Sequence, residues 1–126
     1  MVVGLIAAHA NALLSIYRNT GVSAIAAVYV KLHVGDPGAA GTANPSAVTT
    51  RNAITWNAPS GGSMTIDAIN AYSMTGTETI SHVSFWDAST SGNCLRTAAL
   101  GAGIPVVNGS SFDLTTCTLS YTPIAA

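Results

Sequence analysis

The chain has 126 residues with four basic and five acidic side chains, a net charge of −1 and a mean hydropathy of +0.43. Its charged fraction is 7%, whereas an ordinary soluble domain has about 25%. We expect no nucleic-acid partner, because that requires a basic surface. We expect no membrane partner, because the apolar runs fall short of the roughly 18 residues that span a bilayer. Such a weakly charged surface suits a subunit that is covered by neighbours.

The first twenty residues have a helical period. Apolar residues and one histidine recur every three or four positions, which predicts a helix over about residues 3–18; the stripe consists of Leu5, Ile6, His9, Leu13, Ile16 and Tyr17. Asn19-Thr20-Gly21 is a stop signal, with Gly21 suited to the left-handed position after the helix. No positive charge precedes the apolar stretch, so we do not interpret it as a signal peptide.

The period then changes to two. Val28, Val30, Leu32 and Val34 alternate with Tyr29, Lys31 and His33, which predicts a half-buried strand with the histidine on its polar face. Asp36-Pro37-Gly38 has the residues of a tight turn. Residues 39–50 are small, polar and without period. They predict a long loop or extended arm that is ordered by contact rather than by a core of its own.

The rest of the chain alternates between short strands and turns. Strands are predicted at residues 53–56, 64–68, 80–86, 94–99, 105–107, 112–114 and 116–122. Asn108-Gly109 predicts a type I′ hairpin between two of them. Seven or eight strands spaced about 8 to 15 residues apart indicate a mainly β chain. We therefore expect one domain over residues 1–126, a β-sandwich or jelly-roll-like fold with one N-terminal α-helix.

Two polar pairs are the first candidates for chemistry. His33 and Asp36 lie at a strand end, but neither a third ligand nor a nucleophile accompanies them, so we interpret Asp36 as capping its own turn. His82 and Asp87 project to opposite faces of a regular strand, which argues against a catalytic pair. Trp86 could offer a sugar-stacking platform, but an aromatic ring in this position more often anchors a core or an interface.

No other pattern supports catalysis or cofactor binding. The five acids all have neighbours for which turn or strand-end roles suffice, which argues against the carboxylate pair of a glycosidase. The sequence contains no Gly-x-Ser-x-Gly motif, and Gly101-Ala102-Gly103 lacks the third glycine of a dinucleotide fold. Cys94 and Cys117 lack metal-ligand spacing; reduced buried thiols are favoured over a disulfide, which stays open. We assign no catalytic, cofactor-binding or metal residue and expect no enzymatic activity.

Two stretches together resemble a known family. Leu32-His33-Val34-Gly35-Asp36-Pro37-Gly38, followed by Gly41 and later by Arg51, is similar to a pattern in small virion proteins of tailed phages that infect actinobacteria. Residues 79–87 (TISHVSFWD) are similar to the second motif of that family, and residues 106–114 (VVNGSSFDL) to the segment that introduces its last strand. The resemblance covers nearly the whole chain. It implies an all-β structural subunit of a virion without enzymatic activity.

The labels within that family divide between minor capsid and tail proteins. A compact chain without repeats or heptads favours a capsid place over a fibre, since fibres usually have a repetitive shaft. We therefore expect a capsid decoration protein on the capsid surface, with the major capsid protein and other copies of itself as partners, a homo-oligomer for which a trimer is one candidate. The alternative is a minor tail or tail-fibre-associated protein. A carbohydrate-binding jelly-roll module is the third candidate function, and a hydrolase is the fourth.

Overall fold

A computed structural model describes residues 3–19, 24–115 and 118–120. It contains one helix, α1 (Ala7–Ser15), which continues into a turn of 3-10 helix (Ile16–Arg18). The eight strands are β1 (Val28–His33), β2 (Asn52–Trp56), β3 (Ser63–Ile69), β4 (Tyr72–Ser73), β5 (Glu78–Trp86), β6 (Cys94–Val106), β7 (Ser111–Phe112) and β8 (Thr118–Ser120).

Six strands form one antiparallel sheet in the order β6-β5-β1-β2-β3-β8, and β4 pairs with β7 in a second, small sheet. The large sheet curls into a half-barrel. This architecture confirms the mainly β, sandwich-like fold with an N-terminal helix. A tight turn joins β2 to β3, where Ser60 and Ser63 exchange backbone hydrogen bonds around Gly61-Gly62.

The inner face of the large sheet carries the core. Val30 pairs with Phe85 and Leu32 with Val83 across β1 and β5, and all four side chains are buried. The small sheet covers one end of this face, where the Tyr72 and Phe112 ring centroids lie 6.4 Å apart. The Tyr72 hydroxyl donates a 2.6 Å hydrogen bond to the carbonyl oxygen of Val30, which ties the two sheets together.

The second face of β1 and β5 is covered by the loop that follows β1. Gly41 of this loop lies against Trp86 and Cys94, and the Ala43 carbonyl oxygen lies 2.8 Å from His33 Nδ1. Residues 44–46 then pair with the end of β1 around an antiparallel bridge between His33 and Pro45: the Ser46 N–H donates to the Leu32 carbonyl at 3.1 Å, and the Val34 N–H donates to the Asn44 carbonyl at 2.9 Å. Val48 of the same segment enters the core. Residues 39–50 are therefore a loop packed along the sheet rather than a projecting arm, and this covering makes both faces of β5 buried.

The predicted helix start and helix end need correction. Residues 4–6 are extended along β6, with the Ile6 N–H donating to Leu95 and the Thr97 N–H donating to Gly4. These backbone hydrogen bonds displace the start of α1 from the predicted residue 3 to Ala7. Asn19 takes the left-handed conformation at the helix end, with φ 55°. The position expected to do so, Gly21, lies outside the described residues.

The predicted hairpin at Asn108-Gly109 is wrong. The strand expected to end near residue 99 continues to Val106 and pairs with β5, whereas Ser111 and Phe112 pair with β4. The turn therefore carries the chain from one sheet to the other. Only Gly109 has a positive φ, +87°, and a type I′ turn needs a positive φ at both central residues.

Candidate interaction surface

The structure does not make His33 and Asp36 a functional pair. The Asp36 carboxylate accepts the N–H of Gly38 at 2.9 Å, which confirms that it caps its own turn. His33 is fully buried, contrary to its expected place on a polar strand face, because the loop after β1 folds over that face. Its Nδ1 lies 2.8 Å from the Ala43 carbonyl oxygen.

His33 instead belongs to a buried polar network. Its Nε2 lies 2.7 Å from the Ser84 hydroxyl, and Trp86 donates its indole N–H to the same hydroxyl at 2.8 Å. Because an indole nitrogen can only donate, Ser84 accepts from Trp86 and is free to donate its proton to His33. The other His33 nitrogen then donates to Ala43. A neutral imidazole satisfies the whole network, and burial accordingly holds the pKa of His33 below its ordinary value.

Trp86 is a core residue rather than an exposed platform. It is 5% exposed, and the Arg51 guanidinium carbon lies 3.8 Å from its ring centroid. Arg51 also donates to the carbonyl oxygens of Ala88 and Ser91, at 3.0 and 2.7 Å. The two stretches that carry the family resemblance therefore meet on one face of the sheet, where Arg51 and its partners hold loops in place.

Asp87 closes the loop between β5 and β6. Its carboxylate accepts the backbone N–H of Asn93 at 2.7 Å and the side-chain amide of the same residue at 3.1 Å. These hydrogen bonds, chiefly the backbone one, hold the pKa of Asp87 below its ordinary value. His82 is buried on β5, with Nδ1 2.8 Å from the Ser81 hydroxyl.

Two further acids, Glu78 and Asp67, also have hydrogen-bond partners. Glu78 accepts hydrogen bonds from the Ser46 hydroxyl and the Ala47 N–H, and Asp67 accepts one from Thr55. In the described parts of the chain, no three His, Cys, Asp or Glu side chains cluster as metal ligands. Cys94 is buried with a free thiol, and burial raises its pKa. Cys117 lies outside the described residues.

An apolar cavity of about 370 Å³ lies between α1 and the inner face of the sheet. The helix contributes His9 and Leu13 to its wall, and the sheet contributes Trp56, Phe85 and Leu119. Two buried donors in lining residues, Trp56 Nε1 and Arg96 Nε, have no hydrogen-bond acceptor within the described structure. The wall also includes Leu5 and Ile25, which are 37% and 41% exposed and therefore lie at an open rim.

The outer side of the N-terminal segment is apolar as well. No residue of α1 is buried, although the predicted stripe should have been. Leu14 is 62%, Ile16 59% and Tyr17 90% exposed. Among the described residues, six of the nine exposed large apolar side chains lie in this segment, namely Val3, Leu5, Leu14, Ile16, Tyr17 and Ile25. We call these six residues the N-terminal apolar surface.

The predicted buried stripe included Ile16 and Tyr17 and did not include Leu14. The signal available in the sequence was two pairs of adjacent apolar residues, Leu13-Leu14 and Ile16-Tyr17, because neighbours on a helix cannot face the same side. One sheet covers one side of a helix, so one member of such a pair stays exposed, as Leu14 does.

These features define a class of protein, a small β-domain with a partly exposed apolar helix at its N-terminal end. The part of the chain that the structure describes contains no helix of sufficient length and apolarity to span a membrane. The family model described as Podophage GP4 fiber I protein gp80 matches residues 4–122. The chain belongs to this family and is a phage virion structural protein. No curated protein matches it.

Proposed function

We propose that this chain is a globular, tail-fibre-associated subunit of a phage virion. The observation that carries the proposal is the match of nearly the whole chain to a family described as a podophage fibre protein. The absence of sequence repeats, from which we expected a capsid place, bears only on a fibre shaft. A compact unit of one curled sheet can be attached to a fibre without forming its shaft.

We also propose that the role is structural and without catalysis. The residues that first suggested chemistry have structural partners: Asp36 caps a turn, Asp87 closes a loop, and His33 joins a buried network. Trp86, the candidate sugar platform, packs in the interior against Arg51. These contacts support a scaffold role for the residues and leave the carbohydrate-binding alternative without the side chain that suggested it.

Capsid decoration, which the sequence favoured, is the second candidate. Low charge and the N-terminal apolar surface suit attachment to a capsid shell as well as attachment to a fibre, so these features do not separate the two places. The family description favours the fibre. Binding to the major capsid protein and location on the capsid surface therefore stay predictions, as does the actinobacterial host that the resemblance implied.

Immunogold electron microscopy of purified virions tests the proposal. Antibodies raised against the folded chain should place gold particles at the tail of intact phage. Antibodies against the major capsid protein, used on the same grids, provide the control for shell labelling. Gold spread evenly over the capsid, in the pattern of that control, would refute the fibre assignment and support decoration.

A further inference from the structure

The N-terminal segment, residues 3–25, presents two apolar features, a ridge of exposed side chains and the rim of a cavity. One is a ridge formed by Leu14, Ile16 and Tyr17, all of them more than half exposed. The other is the open apolar cavity beneath α1, with Leu5 and Ile25 at its rim. An exposed apolar ridge and an open apolar cavity both leave surface in contact with water that burial would remove, which favours association.

The charge of this region indicates what covers it. Residues 3–25 contain one charged side chain, Arg18, and the cavity wall adds Arg96, so the region has little charge with which to select a charged partner. Because the net charge of the chain is only −1, two copies meet with little repulsion. Because the chain itself supplies both the ridge and the cavity, a second copy is the partner whose shape and polarity the structure already provides.

We propose that copies of this chain associate through the N-terminal apolar surface, with the ridge of one copy packed into the mouth of the cavity of the next. Tyr17 is the largest side chain of the ridge. Its ring gives the ridge the apolar bulk that an apolar cavity takes up, while its hydroxyl can stay in water at the open rim.

This contact joins two different surfaces, so it is a heterologous interface. Such interfaces generate closed rings when the rotation between subunits closes, and filaments when it does not. The association is independent of the place of the chain in the virion, since a ring could be attached to a fibre or to a shell. If the chain proved not to belong to the tail, the proposed self-association would be unaffected. If the chain proved to be monomeric, the tail assignment would be unaffected.

The first test measures self-association of the full chain by sedimentation equilibrium. Leu14→Gln/Tyr17→Gln should weaken association by roughly tenfold or more for each side chain removed from the interface. Val107→Gln is the matched control, because Val107 is 58% exposed and lies outside the N-terminal segment. All three proteins should have the same melting temperature when diluted to monomers. A monomeric unmodified chain at concentrations of tens of micromolar, or equal weakening by the control, would overturn the proposal.

A second test separates ridge-to-cavity contact from ridge-to-ridge contact. Tyr17→Cys and Ile25→Cys are prepared separately, mixed and mildly oxidised. Disulfide-linked dimers should form in the mixture and not in Tyr17→Cys alone, with the unmodified chain as a control for its own cysteines. Equal crosslinking of Tyr17→Cys with itself would show a face-to-face interface and contradict the ridge-to-cavity geometry.

Discussion

Replacing Ser84 by alanine should destabilise the fold through the buried network that joins β1 to β5. The hydroxyl of Ser84 accepts the indole N–H of Trp86 at 2.8 Å and contacts His33 Nε2 at 2.7 Å. All three side chains are buried, Ser84 and His33 completely. Removing one oxygen therefore leaves a donor and an acceptor without partners in the interior.

Each buried polar group left unsatisfied costs about 1–3 kcal/mol. Two such groups give an expected loss of about 2–6 kcal/mol, because Ser84→Ala removes the partner of both. For a chain of this size, 1 kcal/mol corresponds to a change of about 3–5 °C in melting temperature. We therefore expect the melting temperature to fall by about 6–30 °C.

Thermal unfolding followed by circular dichroism checks this expectation, and urea denaturation gives the free energy directly. Ser73→Ala is the matched control: Ser73 is an exposed serine on β4, and its replacement should change stability by less than about 0.5 kcal/mol. If Ser84→Ala melts within a degree of the unmodified chain while Ser73→Ala does the same, the network does not stabilise the fold and the reasoning is refuted.

Three further outcomes are expected. Because burial lowers the pKa of His33, the unfolded chain takes up a proton at higher pH than the folded chain. The stability of the fold is therefore fully present above the ordinary pKa of 6.5 and falls as the pH drops below it. The urea midpoint should change less between pH 7.5 and 5 in His33→Gln than in the unmodified chain, and an equal change in both would contradict this reasoning. Gly41→Ala should cost at least about 2 kcal/mol, because Gly41 has φ +71° and an added Cβ would clash with Cys94 Sγ. The double variant with Cys94→Ala should recover part of the lost melting temperature, and no recovery would show that the clash is not the cause. Tyr72→Phe should lower stability by about 1 kcal/mol or somewhat more, since it leaves the buried carbonyl of Val30 without its 2.6 Å donor; an unchanged urea midpoint would show that this bond between the two sheets contributes nothing.

Local patterns in the sequence were sufficient to predict most of the fold. The alternation around Val30 and Leu32 defines β1, and Asp36-Pro37-Gly38 forms the expected turn because its hydrogen bond lies within three residues. Non-local contacts account for the failures. His33 is buried by a loop that returns over it, and the turn at Asn108-Gly109 joins strands whose partners lie elsewhere.

The candidate surface was less predictable than the fold. The helix period correctly brings His9 and Leu13 to the cavity, but it cannot show that the other end of the same stripe, Ile16 and Tyr17, extends beyond the sheet and stays exposed. That outcome depends on where residues 4–6 pair with β6, which is a contact between positions about 90 residues apart. Trp56 and Trp86 each end a predicted strand, so the sequence did not distinguish their positions. The structure places Trp56 in the cavity wall and Trp86 in the interior.

The copy number of the chain in a virion tests the central claim most directly. Quantitative mass spectrometry of purified particles, with isotope-labelled peptides of this chain and of the major capsid protein, gives the number of copies relative to the shell. The fibre assignment predicts a handful of copies per virion. A count in the hundreds, in simple proportion to the major capsid protein, would contradict that assignment and place the chain on the capsid.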